Sequence, residues 1–460
     1  MSSRVHLHRA VLPGTRSVSF APAPLRISAP TPAAVEPDFG VDRARRFGHS
    51  LERLTVPAGG AVIQAKIEWK KSGKEVDELV ERYNNAVGHK LIFGAESRRA
   101  ALGHLHQLER YLYGWFASKK SPDLDESPEA LRMKGLMNEV QKERIDLVER
   151  SISAKDEAPP VASLNAENQE RVTGIWNRLL ANDGIRIQET GEEEEVSKRQ
   201  KGFRTKVLAD FSRLLETEAG RDLVGGIQGA GGGLTIKPTT LAKGKFAARS
   251  LDPDSEGLRT VPAPAEEHQQ DFAPINVNGM TKQDKIRLFH NIKTLHPDKR
   301  GFALNTDGGT QHFEFGPGSD SELKVPVDAQ DALRHPSSRG VDSEGNEIIA
   351  PTFVNLGHEL GHVLRARQGV ITDENAGRDL FERAFPGEEH EGRVEEFFNI
   401  PAAENPVREQ SGISPRPGHG NLMLHQGLLH MQWLQKIQAQ IASLGQKNIP
   451  LVARQGLERL

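Results

Sequence analysis

Phe353-Val354-Asn355-Leu356-Gly357-His358-Glu359-Leu360-Gly361-His362-Val363-Leu364-Arg365-Ala366-Arg367 decides how the rest of the chain is read. Take it as a helix turning roughly 100° per residue, with Leu360 at zero. Phe353 then falls at roughly +20°, Leu356 at −40°, Val363 at −60° and Leu364 at +40°. With Leu360 these side chains make one apolar face. His358 and His362 fall at about +160° and −160°, side by side and one turn apart. Two imidazoles so placed converge on one tetrahedral Zn2+. Glu359 does not easily reach the same metal. It is placed to take a proton from a water that the metal acidifies and to pass it to a leaving amine. Pro351 and Thr352 read as start signals and Gly369 as the C-terminal cap. Gly361 costs about 1 kcal/mol in a helix relative to alanine, so it marks a place where another backbone comes close.

A catalytic zinc takes three protein ligands and keeps one position open. The extended signature, with glycine and then histidine further along the same helix, is absent: position 365 is Arg and position 368 is Gln. The third ligand is therefore expected on a second helix near 393–399, in Glu395-Glu396-Phe397-Phe398. A helical wheel does not separate the two glutamates, because Glu395 lies nearer the apolar edge made by Val394, Phe397 and Phe398. His390 is a further candidate. Beyond them stand Glu404, Asn405, Arg408, Glu409, Gly412, Arg416 and His419. Arg416 and His419 are expected to reach the oxyanion of a tetrahedral transition state, and Arg408 to pair with Glu404 or Glu409.

The chain has 460 residues, enough for two or three units. Sixty basic against 63 acidic side chains leave a net charge of −3, which excludes the basic field of a nucleic-acid protein. Hydrophobic residues at 36% and aromatics at 5% are too few for a fully packed chain of this length, so part of it is expected to be disordered. There is no cysteine, hence neither a disulfide nor a thiolate ligand or nucleophile. No run approaches the ~18 apolar residues of a membrane span. Residues 1–33 lack the compact apolar stretch of a secretory signal, so export, if it occurs, takes another route.

Along the chain, the prolines of residues 1–60 read as a disordered leader. Residues 71–158 read as a helical spacer or docking region, with Val76, Leu79, Val80 and Tyr83 in one stripe. Leu102, Leu105, Leu108, Leu112 and Trp115 make a second, and Leu131, Leu136, Val140, Ile145 and Leu147 a third. Residues 155–160 read as a linker. A helix closes over 175–180 and a short strand follows at 185–188. The acidic run 192–195 reads as a solvated loop. One amphipathic helix is expected over 203–223, its face made by Val207, Phe211, Leu214 and Leu215. The glycines of 225–233 lack the Gly-Lys-Ser/Thr of a phosphate loop, and 234–236 reads as a strand. Residues 237–270 read as irregular and 272–350 as short strands and loops. His296-Pro297-Asp298 is the tripeptide of J-domain cochaperones, but Gly301 and the turn Thr306-Asp307-Gly308-Gly309 stand where that domain has a long helix. Residues 426–460 are expected to form a C-terminal helix.

Two resemblances extend this reading. Arg45-Arg46-Phe47-Gly48-His49-Ser50-Leu51, followed by a spacer and Ile63-Gln64-Ala65-Lys66-Ile67, resembles the N-terminal leader of cargo and associated proteins of extracellular contractile injection systems. That implies loading into an injection apparatus through residues 1–70, by contact with its tube or a loading factor. Residues 165–425 resemble the NleD-like zinc metallopeptidase effectors. The resemblance rests on a helix at 203–223, Gly318-Ser319-Asp320-Ser321, the block from Pro351 to His362, Glu395-Glu396, the phrase Glu404-Asn405-x-x-Arg408-Glu409, and Arg416. It implies an α+β, zincin-like fold of gluzincin type, one Zn2+ per chain on His358, His362 and a downstream glutamate, and cleavage of a protein in a target cell. Because glutamate-zincins often place that ligand directly before an apolar or aromatic pair, the resemblance favours Glu396. His419 stands where relatives often have tyrosine. The resulting expectation is a zinc endopeptidase made in the cytoplasm, exported without a signal peptide and delivered to another cell. The alternatives are a peptidase that processes the injection particle itself, or a non-enzymatic component of that particle that keeps a metal site.

Overall fold

A computed structural model of the chain describes residues 74–416, apart from 89–93, 119–127, 163, 190–201, 232, 240–245, 252–256, 327–338, 342–346, 373–374 and 389–392. The leader over 1–70, the acidic run 192–195, His390, His419 and the helix expected over 426–460 lie outside the described residues.

Three helices come first: α1 (Lys74–Gly88), α2 (Ala95–Ala117) and α3 (Pro128–Ser153). Their stripes are buried as the spacing requires, with Leu102, Leu105, Leu108 and Leu112 fully enclosed. Leu131 departs from the third stripe and is exposed, while Met133 and Met137 take the core face of α3. Next comes α4 (Ala166–Leu180), opened by Asn165, whose side chain accepts the Asn168 N–H at 2.9 Å. Then follow β1 (Ile185–Ile187), α5 (Phe203–Leu215), α6 (Glu218–Gly229), β2 (Leu234–Thr239), β3 (Ala247–Ser250) and β4 (Arg259–Val261). A 3-10 turn (Glu266–Asp271) leads to β5 (Phe272–Asn276), α7 (Lys282–His290), α8 (Ile292–Leu295), β6 (Gly301–Thr306), β7 (Gly309–Glu314) and β8 (Ser321–Pro326). The ribbon of β9 (Arg339–Val341) and β10 (Glu347–Ile349) leads into α9 (Thr352–Arg367). Last come α10 (Asn375–Ala384), α11 (Val394–Asn399), a π turn (Ile400–Glu404) and α12 (Asn405–Gln410).

The fold is α+β. One sheet has the order β1-β2-β8-β3, with β1, β2 and β8 parallel and β3 antiparallel on the edge. The other has the order β4-β7-β6-β5. α9 packs beneath the first sheet, against β3 and β8, with α5 and α6 on another side and α11, the π turn and α12 on a third. The expected apolar face is in place: Phe353, Leu356, Leu360, Val363 and Leu364 are all buried. Yet α9 is not a surface helix, for Thr352, Arg365 and Arg367 are buried as well. Gly369 takes φ +66° after it, and a Cβ there would sit 2.0 Å from the Gly316 carbonyl, so only glycine ends the helix this way.

Two expectations are corrected. The single helix over 203–223 is two, α5 and α6. Thr217 breaks it, donating to the Leu214 carbonyl at 2.7 Å and accepting the Gly220 N–H at 3.0 Å. A Cβ at Gly220 would lie 2.1 Å from that carbonyl, so the turn admits glycine alone. Residues 237–270 are not irregular throughout, since they hold β3, β4 and the 3-10 turn. β3 is built from Ala247-Ala248-Arg249-Ser250 and is held by backbone pairing to β8, which leaves no apolar alternation to read. Finally, α1 to α3, expected as a helical spacer or docking region, pack into the common core. Their apolar residues belong to the same core cluster as β2, β8 and α9, and all described residues fall in one unit.

Buried charge ties that junction together. Arg144 on α3 reaches Glu109 on α2 at 3.0 Å and Glu216 at 3.1 Å. Arg213 on α5 reaches the same two carboxylates at 2.7 and 2.8 Å, and His106 reaches Glu216 at 2.8 Å. Burial would raise the Glu216 carboxyl; Arg144 and Arg213 outweigh it and hold it well below the usual range. Removing one member of such a network strands the others, at about 3–5 kcal/mol. Among the described residues no helix is long and apolar enough to cross a membrane.

Beside this network Asp210 accepts a 2.6 Å bond from Thr352 Oγ1, at the first residue of α9. Enclosure of its carboxyl pushes the group up to about 7, against the Thr352 bond and Arg144, which lower it. A raised carboxyl stabilises the fold when protonated. Its contribution is whole below the unfolded value near 4 and is lost as pH rises through 7. Asp210→Asn is therefore expected to flatten that loss. Its melting temperature relative to wild type should climb between pH 4 and pH 7 and level off above. Because Asp210 keeps some solvent contact, the difference should amount to about 1–3 kcal/mol. Parallel melting curves for the two proteins across that range would disprove it.

Candidate metal centre

α9 sets His358 and His362 one turn apart, and α11 packs against α9. The Nε2 atoms of the two rings are 3.2 Å apart. Glu396 on α11 brings Oε2 to 3.5 Å from His358 Nε2 and Oε1 to 3.3 Å from His362 Nε2. Three donors about 2.0–2.1 Å from a tetrahedral ion stand about 3.3–3.4 Å from one another, so this triangle fits zinc. Among the described residues this is the group of His, Asp and Glu side chains that could hold a metal ion. The three side chains keep 10%, 17% and 13% of their surface exposed, so the site is reachable from solvent rather than sealed.

The two adjacent glutamates, which the sequence leaves undivided, do different work. About 100° apart on α11, they point to different neighbours. Glu396 faces the two Nε2 atoms. Glu395 turns inward, where it accepts Arg365 Nε at 2.6 Å, the Thr372 N–H at 3.1 Å and the Thr372 hydroxyl at 2.9 Å. Its Oε1 is 3.5 Å from His362 Nδ1. Burial would raise Glu395, but Arg365 and His362 hold it well below the ordinary carboxylate range. His358 has a matching partner behind it: Nδ1 meets Glu404 Oε2 at 2.8 Å. Glu404 in turn accepts Arg408 Nε at 2.7 Å and Arg416 at 3.4 Å, and these cations hold it far below the usual range despite its burial. Both rings thus have Nδ1 engaged by a carboxylate, which leaves Nε2 for a metal. Burial would lower the His362 imidazole; Glu395 and Glu396 reverse that and push it up to about 10. The pocket is one that favours positive charge.

Glu359 stands apart from this cluster, as the spacing requires. Its carboxylate accepts the Ala248 N–H at 2.7 Å, so the side chain is anchored on β3, the edge strand among the described residues. That contact was not legible, because β3 itself was not. Arg408 pairs with Glu404 and donates to the Ile349 carbonyl at 2.7 Å. Arg416 places its guanidinium 3.4 Å from Glu404, on the Nδ1 side of His358, and its backbone N–H donates to Asn405 Oδ1 at 2.7 Å. The phrase Gly318-Ser319-Asp320-Ser321 is likewise part of the scaffold. Gly318 takes φ +75° against the Arg367 carbonyl, Ser319 bonds Ser250 on β3, and Asp320 accepts the Gly233 N–H at 2.6 Å.

Sequence reasoning missed Arg365, Thr372 and Asn399. Arg365 had a signal, since it lies three residues after His362 on the same helix face. Asn399 donates to the His358 carbonyl at 2.9 Å and is fully buried. It also explains Gly361: a Cβ there would lie 2.0 Å from Asn399 Oδ1 and 2.8 Å from the Ala403 Cβ. What approaches α9 so closely is a side-chain amide and a methyl group, not the expected backbone.

Gly361→Ala is accordingly expected to cost about 1–3 kcal/mol by overpacking, despite alanine's better helix propensity. Gly103→Ala, on α2 with nothing within 4 Å of the added methyl, should instead stabilise by about 0.5–1 kcal/mol. Denaturant unfolding of both variants tests the pair, and a neutral Gly361→Ala would remove Asn399 from the account. Comparison with protein-family models, curated proteins and solved structures gave no match, so the centre is read from its own geometry.

Proposed function

We propose that the protein is a zinc-dependent endopeptidase of zincin-like, gluzincin type, with His358, His362 and Glu396 as ligands and Glu359 as general base. The observation that carries this reading is the 3.2–3.5 Å triangle of His358, His362 and Glu396 donors, beside a glutamate fixed at a strand edge. Zinc bound there would supply Lewis-acid chemistry, acidifying a water and polarising a peptide carbonyl. Glu359 accepts the proton of the attacking water and returns it to the departing amine. Glu404 and Glu395 hold the two imidazoles in the tautomer that directs Nε2 outward. β3, the edge strand among the described residues, offers backbone groups to an extended chain, which favours a polypeptide substrate over a small ester or amide.

The delivery half of the proposal rests on sequence alone. The leader phrase and the order of blocks from 318 to 416 support an effector that is loaded into an injection apparatus and acts on a protein in another cell. Deleting residues 1–60 should abolish loading and leave zinc content intact.

Metal content and toxicity on production inside a eukaryotic cell test the catalytic half together. Wild type should hold about one zinc per chain. Glu359→Gln should keep the metal and lose toxicity, while His358→Ala and Glu396→Gln should lose both. Glu395→Gln should weaken metal binding about 10–100-fold without removing a ligand. A Glu359→Gln variant as toxic as wild type, or a protein that never takes up zinc, would end the peptidase reading.

A further inference from the structure

We propose that the outward face of the first sheet selects substrates carrying acidic side chains, and that Arg249 reads the position nearest the scissile bond. This rests on the peptidase reading above and goes on to name its substrate class.

The register assigns the faces. Ile187, Ile236, Leu323 and Ala248 form one row across the sheet, turned toward the core and α9. The rows on either side point the other way. One contains Arg186, Glu322 and Arg249, and the next contains Lys237 beside Lys324. Four cations therefore share this face with one carboxylate, in a chain whose net charge is −3. Glu322 is buried between Lys237 at 2.5 Å and Arg249 at 2.9 Å, so it offsets only part of their charge. Three of the four face solvent: the Arg249 side chain is 63% exposed, and Arg186 and Lys324 are exposed too.

Position joins this field to the metal centre. β3 is the edge strand among the described residues, and its Ala248 N–H points away from β8, onto Glu359. Backbone groups alternate along an antiparallel strand, so Arg249 pairs inward with Glu322 of β8 while Ala248 presents its amide to the cleft. A polypeptide laid along that edge repeats every two residues, and each second side chain stands on the face of Arg249. There it enters a field of positive sign, one residue along β3 from the amide that holds the general base. Aspartate or glutamate at such a position is attracted, and a guanidinium with one nitrogen on Glu322 keeps donors for a second carboxylate. Lysine or arginine is repelled.

The test is digestion of a proteome-derived peptide library by the full-length protein, with Glu359→Gln as blank, followed by kinetics on matched peptides. Wild type should show cleavage sites enriched in Asp or Glu at one position close to the scissile bond. Arg249→Glu should lower kcat/KM for the acidic peptide about ten-fold, mainly through KM, and should raise it for the peptide with lysine in that place. Lys324→Glu should move selectivity in the same direction by less, and guards against a misfolded first variant. Cleavage by wild type without acidic preference would overturn this inference and leave the peptidase reading intact. Unchanged selectivity in both variants, with lower melting temperatures, would show that the cations serve the fold, and would also overturn it. No cleavage of any peptide by wild type would overturn both readings.

Discussion

Carboxylates buried beside imidazoles have to be offset by cations, and that constraint organises the middle of this protein. Glu395, Glu396 and Glu404 all lie against His358 or His362. Arg365 neutralises Glu395, and Arg408 with Arg416 neutralises Glu404. Glu396 instead turns to the two Nε2 atoms, where a divalent cation fits. The arginines come from α9, from α12 and from the segment after it, so the pairing also fixes how α11 and the π turn lie across α9. The triangle of donors and the packing of four chain segments are one electrostatic solution.

The same physics joins the N-terminal helices to the rest. Glu109 comes from α2, Arg144 from α3, and Arg213 with Glu216 from the end of α5, and the ion pairs between these segments join all four. Each becomes tolerable in the interior only when the others arrive. A helical hairpin that could have been a tether is thereby made part of the frame that holds the N-terminal end of α9, where Phe353 also packs beneath the Arg213 guanidinium.

The sequence declared what is local and concealed what is assembled. α9, its apolar face, the convergence of its two histidines and its glycine stop follow from spacings within one helix, and all are found. The break at Thr217 was hidden because apolar residues keep helical spacing across it, while a single side-chain bond and a glycine contact turn the chain. β3 was hidden because an edge strand made of Ala-Ala-Arg-Ser takes its conformation from β8, not from its own pattern. The roles of Glu395 and Glu396 were undecidable on a wheel, which ranks positions by apolar neighbours. Here the inward glutamate meets Arg365 and Thr372, contributed by distant residues. Arg416 was assigned by its place near the end of the motif block, and its contact with Glu404 is set by the fold.

An asymmetry within the centre bears on how it works. His358 meets Glu404 at 2.8 Å, whereas His362 meets Glu395 at 3.5 Å. Glu404 is shared between two arginines and the imidazole; Glu395 is drawn off by Arg365 and by both donors of Thr372. The first ring is thus held by a short hydrogen bond at Nδ1 and by Asn399 at its backbone carbonyl. The second has only a long contact at Nδ1 and retains more exposure. His358 is then the fixed reference of the triangle and His362 the member with room to adjust. Glu359 follows the fixed histidine in sequence and shares the rigid end of the helix turn. In the proposed mechanism a general base acts over a narrow range of distances, and this arrangement places the stiffer support under Glu359.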